Sequence, residues 1–208
     1  MTRKYRYGQA DPDKLMTLEE PGKPLLFDAD RGLVAEVSSR CNVKALAEGL
    51  AGKSEREVKQ ALRRFGQEVM EITAELADGK YLDRTGEMVR KVAAQTGIFF
   101  PHPVQRYVEL SIIGARPLDQ WNIREATVTS LCLQVFRCSV LQELQAAGVN
   151  TDGLPCQGLC LGSFELAGAK AQQPVRVRVA KTLPKDGVCE FRFSPVARKA
   201  RARAPRRR

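Results

Sequence analysis

Four cysteines in the last third of the chain have spacings that could do chemistry: Cys138, then Cys156 and Cys160 four residues apart, then Cys189. A thiolate is a nucleophile and a soft metal ligand, while a protonated thiol is a small apolar side chain. On a helix, Cys156 and Cys160 share one face at i and i+4. Two thiolates there would supply half of a tetrahedral site. Cys138 and Cys189 would complete it, and zinc is the metal such a set could take. The paired CxxC knuckles of a zinc ribbon are absent, as is a CxxC redox pair. A radical-type iron–sulfur site would need another cysteine three residues after Cys160, where Ser163 stands.

The alternative chemistry is nucleophilic. Cys160 and Cys189 would then be the catalytic thiols. Glu165, the one acid within "LPCQGLCLGSFELAGA", would serve as acid/base if buried beside them. Pro155 suits the first turn of a helix, whose N-terminal amides and dipole are expected to favour thiolate at Cys156. Arg137 is a further source of positive charge. The plainest reading is that all these thiols are core residues, as free cysteines usually are. The three readings stay open on the residues alone. Cys41 and Cys132 are expected to be structural. His102 is the one histidine, set between prolines in "FFPHPVQ", and reads as a loop residue. Its solitude excludes metal sites that need several histidines and any Ser-His-Asp triad built without it.

The elements that must position these groups follow from periodicity. Residues 1–23 are polar and read as an arm. Leu25 to Phe27 and Leu33 to Val37 flank "DADRG" and suggest a hairpin, with a short helix after an Asn42 N-cap. Ser54 and Glu57 have capping-box spacing. Behind them Val58, Leu62, Phe65, Val69, Ile72 and Leu76 recur at steps of three and four, a long amphipathic helix ending at Asp78-Gly79. A second helix fits Arg84 to Thr96, closing a hairpin-plus-helical region over 24–100.

From 101 to 195 the pattern changes to alternation. "QRYVELSIIG" and "WNIREATVTSLCLQV" read as neighbouring strands. In the second, Ile123, Glu125, Leu131, Leu133 and Val135 share one face, and Cys132 lies on the other. "SVLQELQAAG" is a short helix, and 156–167 a further one weakened by Gly158 and Gly162. "PVRVRVAKTLPKDGVCEFRFS" is a hairpin about "PKDG", with Cys189, Phe191 and Phe193 on its buried side and arginines on its basic side. The expected fold is α+β, an antiparallel sheet covered by helices over a cysteine-lined pocket, with an N-terminal hairpin/helix extension.

Composition sets the setting. The chain has 208 residues and a formal charge of +10. "RKARARAPRRR", from Arg198 to Arg208, carries seven of the positive charges and no acid, leaving +3 for the rest. Residues 196–208 have no apolar pattern and are expected to be a disordered basic tail. With Arg3, Lys4 and Arg6, the tail could contact nucleic acid or acidic lipid without specificity, although no nucleic-acid-reading motif accompanies it. The opening "MTRKYRYGQADPDK" has no apolar signal region, and no apolar run is long enough to span a bilayer. A cytoplasmic location with reduced thiols is expected.

The last fifty residues resemble the C-terminal half of the L-2-amino-thiazoline-4-carboxylate hydrolase-like family. Cys138 matches that family's cysteine ahead of a helix, and Cys156 or Cys160 its second cysteine. Thr182, Leu183, Gly187, Cys189 and Phe191 match its final strand. The resemblance implies attack by a thiolate on the ring carbon of a cyclic amidine, with release by water. The same ending is similar to vinyl-reductase-type domains. That likeness implies a small-molecule-binding α+β module needing no chemistry, some of whose relatives bind metal through Cys and Glu. Ser163 and Phe164 stand where the hydrolase pattern often has an acid. Ala180 and Lys181 stand where the vinyl-reductase pattern has another cysteine.

Overall fold

The computed structural model describes residues 31–82, 104, 107, 119–126 and 130–196. The arm, the Leu25 to Phe27 run, the Arg84 to Thr96 helix, His102, nearly all of "QRYVELSIIG" and the basic tail lie outside these residues.

The first described element corrects the hairpin expectation. Residues Arg31–Arg40 form a helix, α1. Leu33, Ala35 and Val37 could alternate on a strand, but Leu33 and Val37 are also four apart. Both are fully buried while Ala35 is exposed, so the period that governs packing is helical. Asn42 then caps α2 (Val43–Leu50), its side chain accepting from the Ala45 amide at 3.0 Å. Helix α3 (Glu55–Asp78) starts at a complete capping box. The Glu57 amide donates to Ser54 Oγ, and the Ser54 amide donates to the Glu57 carboxylate at 2.9 Å. Its buried face holds Leu62, Phe65, Val69 and Leu76 as expected. It also includes Gly66, Met70, Thr73, Ala74 and Ala77, because α3 packs on neighbours from two directions.

The stretch read as one strand from Trp121 to Val135 is two. Strand β1 (Gln120–Ala126) and β2 (Leu131–Arg137) pair antiparallel, Ile123 opposite Leu133. An irregularity after Ile123 brings Glu125 opposite Cys132, so Glu125 leaves the apolar face it was expected to share. Helix α4 (Ser139–Ala146) follows, its start fixed by the buried Asp119. One carboxylate oxygen of Asp119 accepts from both the amide and the hydroxyl of Ser139 at 2.7 Å. Helix α5 (Gln157–Lys170) is longer than expected. Strand β3 (Val175–Lys181), the short helix α6 (Leu183–Asp186) and β4 (Cys189–Pro195) complete the chain. "PKDG" turns as expected, with Gly187 at φ +71°, a conformation that suits glycine.

The described strands form one antiparallel sheet in the order β1-β2-β4-β3, an α+β architecture with helices on one face. Phe191 and Phe193 project from β4 onto Phe164 of α5, with ring centroids 5.1 and 5.3 Å apart. Helix α5 in turn lies on α3, so it is the middle layer. Gly158 and Gly162, read as weakening this helix, are what allows that contact. A Cβ on Gly158 would lie 3.1 Å from the Lys59 carbonyl oxygen, and one on Gly162 would overlap the Arg63 carbonyl. Gly66 answers from α3 against the Leu159 carbonyl. One continuous core results, running from Leu33 of α1 to Phe193 of β4.

Candidate functional site: a thiol-lined cavity

Each of the four thiols reaches the same place by a different local route. Cys138 and Cys156 sit at the N-caps of α4 and α5, neither making a side-chain capping bond. Cys160 is one turn into α5. Cys189 opens β4 on its apolar face, and its sulfur accepts from the Leu183 amide at 3.2 Å, which ties the α6 turn to the strand. All four line one small cavity between α3, α4, α5 and β4, together with aliphatic side chains such as Leu62, Val140, Leu144 and Leu159. The cavity encloses about 20 Å³. That is room for one water-sized molecule. Among the described residues, Gln157 is the one lining residue with an amide or charged side chain.

Cys138, Cys156, Cys160 and Cys189 thus border a common cavity. The electrostatics differ from expectation. Burial pushes the Cys156 thiol up to about 11, and neighbouring Cys160 adds to the rise. The amides of Cys156 and Gln157 do act in the lowering direction, but they are outweighed. A thiol at a helix start is activated when it is also solvated. Here Cys156 faces aliphatic side chains, so desolvation of the charged form wins. Arg137 supplies no charge to the cavity lining. It is exposed, and its Nε donates to Gln142 Oε1 at 2.9 Å.

Glu165 lies on α5 outside the cavity and pairs with Arg63 of α3, leaving the thiols without that acid. Among the described residues, no group of three or more His, Cys, Asp or Glu side chains is placed to hold a metal ion. The donor set as arranged does not fit zinc: it shares a cavity without converging on a point. Cys132 and Cys41 lie outside this cavity, and both are pushed up to about 11 mainly by burial.

Two features of the site were not anticipated. Val140 and Leu159 form a wall shared with a second cavity of about 430 Å³. Phe65 and Val69 help to line it, and Lys44, Asn42 and Glu143 contribute polar groups. No short motif announces such a cavity, because it lies between α1, α2, α3 and α4. The other is Glu190, on the far face of β4. It is 2% exposed and held by Arg192 Nε at 2.9 Å and Gln134 Nε2 at 2.9 Å, with Arg124 at 3.6 Å. The sequence signal was present in its strand position, between the inward Cys189 and Phe191.

No protein-family model matches the chain, and no curated protein matches it. Among solved structures it is similar to the Fe(II) unliganded H-NOX protein from K. algicida. A mutant form aligns with TM-score 0.39 and 12% identity, over 67% of this chain and 63% of that one. The chain thus spans less than two thirds of that mutant's length. The unmutated form aligns with TM-score 0.34 and 10% identity, over 81% and 89% of the two chains. Likeness this weak carries no argument about fold or function. Among the described residues, no helix is long and apolar enough to cross a membrane.

Proposed function

We propose that this chain is a non-catalytic small-molecule-binding module of the vinyl-reductase-like kind, with its ligand seat in the helical layer above the sheet. The observation that carries the reading is the pair of adjoining cavities. The outer one, of about 430 Å³, falls in the size range of small-molecule sites. Its inner wall, Val140 and Leu159, separates it from the thiol-lined chamber. An apolar ligand would fill the outer space and direct its tip toward the thiols. Burial raises Cys156 toward the thiol form, and sulfur is polarizable, which suits contact rather than attack.

The hydrolase reading fares less well on the same geometry. Attack on a cyclic amidine needs a thiolate and a group to move protons. Cys156 is held as a thiol, and Glu165 is engaged by Arg63 outside the chamber.

The test is a titration with N-phenyl-1-naphthylamine, an apolar fluorescent probe, beside an assay for turnover of L-2-aminothiazoline-4-carboxylate. Saturable binding of about one probe per chain is expected. It should be lost in Val140→Trp, which fills the shared wall, with far-UV circular dichroism unchanged. No turnover is expected. Hydrolysis that disappears in Cys156→Ser or Cys160→Ser would replace the binding reading with the enzymatic one.

A further inference from the structure

The face of the sheet turned away from the helices carries a second, chemically opposite surface. Strand register places its side chains in rows. In one row Glu125, Cys132, Arg192 and Arg178 succeed one another across β1, β2, β4 and β3. In the next, Gln134, Glu190 and Lys181 stand side by side. Arg176 flanks the first row, opposite Ser194. Arg124 reaches in from β1 to Glu190.

The arrangement is costly for a sheet on its own. Arg178 faces Arg192 directly, and like charges in that position repel. Arg192 is compensated by Glu190. Among the described residues, Arg176 and Arg178 have no ion-pair partner, and both are exposed. Glu190 sits beneath the surface and fixes two guanidiniums while leaving their side chains 53% (Arg124) and 63% (Arg192) exposed. The carboxylate thus holds donors in place without cancelling the patch. Among the described residues, five cations against Glu125 and Glu190 give this face a net positive charge.

We propose that this face binds the phosphate backbone of a single-stranded nucleic acid, independently of sequence. Four strands at about 4.8 Å spacing make a surface of roughly 14 Å between the outer strands. That is too broad for a groove that admits a two-stranded ribbon, but it suits a strand laid across it. Guanidiniums match phosphate in fork geometry and also stack on bases. A lipid surface is a poorer fit, because among the described residues the large exposed apolar side chains are only Leu82 and Val196. Strand β4 ends beside this patch, where the Val196 amide donates to the Pro174 carbonyl at 3.0 Å.

The experiment is fluorescence anisotropy of the full chain with a labelled 20-nucleotide uridine strand over a salt series, beside sedimentation with phosphatidylserine-containing vesicles. The Arg176→Gln/Arg178→Gln variant is compared with a charge-matched tail variant, Arg206→Gln/Arg207→Gln. The wild type should bind the strand. The sheet variant should bind on the order of tenfold more weakly at low salt, with a log–log salt slope shallower by about 1.4, and the tail variant should lose less. Unchanged thermal melting of the sheet variant will assign its loss to the surface. Three results would overturn the proposal: no binding of the strand, equal loss in the two variants, or vesicle binding without strand binding. If the sheet variant melts early, Arg178→Lys decides. It keeps charge and fold but loses the fork, so binding indistinguishable from wild type would reject guanidinium recognition.

Discussion

Cys156 and Glu190 are both acids taken out of water, and their neighbours push them in opposite directions. Around Cys156 nothing charged compensates for burial, so the thiol rises to about 11 from an ordinary 9.0. Around Glu190 burial also raises the carboxyl. Hydrogen bonds from Arg192 and Gln134, with the charges of Arg192 and Arg124, outweigh it and hold the group below the ordinary 4.5. The two consequences for stability have opposite signs. The unfolded chain releases the Cys156 proton before the folded one does, so this group costs stability as pH climbs from about 9 toward 11. The unfolded chain takes up the Glu190 proton first, so this group's contribution is present at neutral pH and is lost as pH falls below about 4.5. Glu190→Gln should therefore cost about 1–2 kcal/mol in urea unfolding at pH 7, a cost that shrinks as pH falls below the ordinary carboxyl range. Cys156→Ala should flatten the loss of stability between pH 9 and 11. An acid limb unchanged by the glutamine would mean that the guanidiniums above it are not held by this carboxylate.

At the scale of elements, the α3–α5 crossing decides where the thiols can go. Gly66, Gly158 and Gly162 bring the two helices together backbone to backbone, and this sets Cys160 beneath Leu62 rather than in solvent. Gly162→Ala places a methyl into the Arg63 carbonyl, which cannot swing aside, and should cost about 1–3 kcal/mol. Gly49→Ala, within α2, meets nothing within 4 Å and should gain about 0.5–1 kcal/mol from backbone entropy. Denaturant midpoints of the two variants moving in the same direction would contradict this assignment. The contrast also explains what could be read from the sequence. Helix α3 announced itself because its cap and stripe are local. Helix period and strand alternation also pointed Cys138, Cys156, Cys160 and Cys189 toward one cavity, although among the described residues they do not form a metal-holding group. The glycines of α5 were read as a weakness because propensity is local, whereas their use is a contact with residues about a hundred positions earlier. The Cys156 pKa ran the other way for the same reason: helix dipoles are visible in sequence, while the aliphatic wall arrives from other elements. Helix α1 was misread where Leu33 and Val37 satisfied both periods at once.

At the scale of the whole molecule, the sequence suggests a helical region to residue 100 and an α+β region after it, but the packing joins them. Leu62 of α3 lines the same cavity as Cys189 of β4. Leu33, Leu62, Trp121 and Phe193 belong to one core. If the core is shared, helices and sheet have no separate apolar reserve and must lose structure together. The chain offers a clean way to see this. Trp121 is its one tryptophan and is 2% exposed on the core side of β1, so its fluorescence reports the sheet. Ellipticity at 222 nm reports the helices, of which α3 is the longest among the described residues. Both signals should follow one urea transition with the same midpoint. Leu62→Ala empties a fully buried site facing the thiol cavity, and should shift both midpoints together by the equivalent of about 2–4 kcal/mol. A variant in which ellipticity moves and tryptophan fluorescence does not would divide the molecule into two cooperative units. The thiol cavity would then lie on a boundary between them instead of inside a single core.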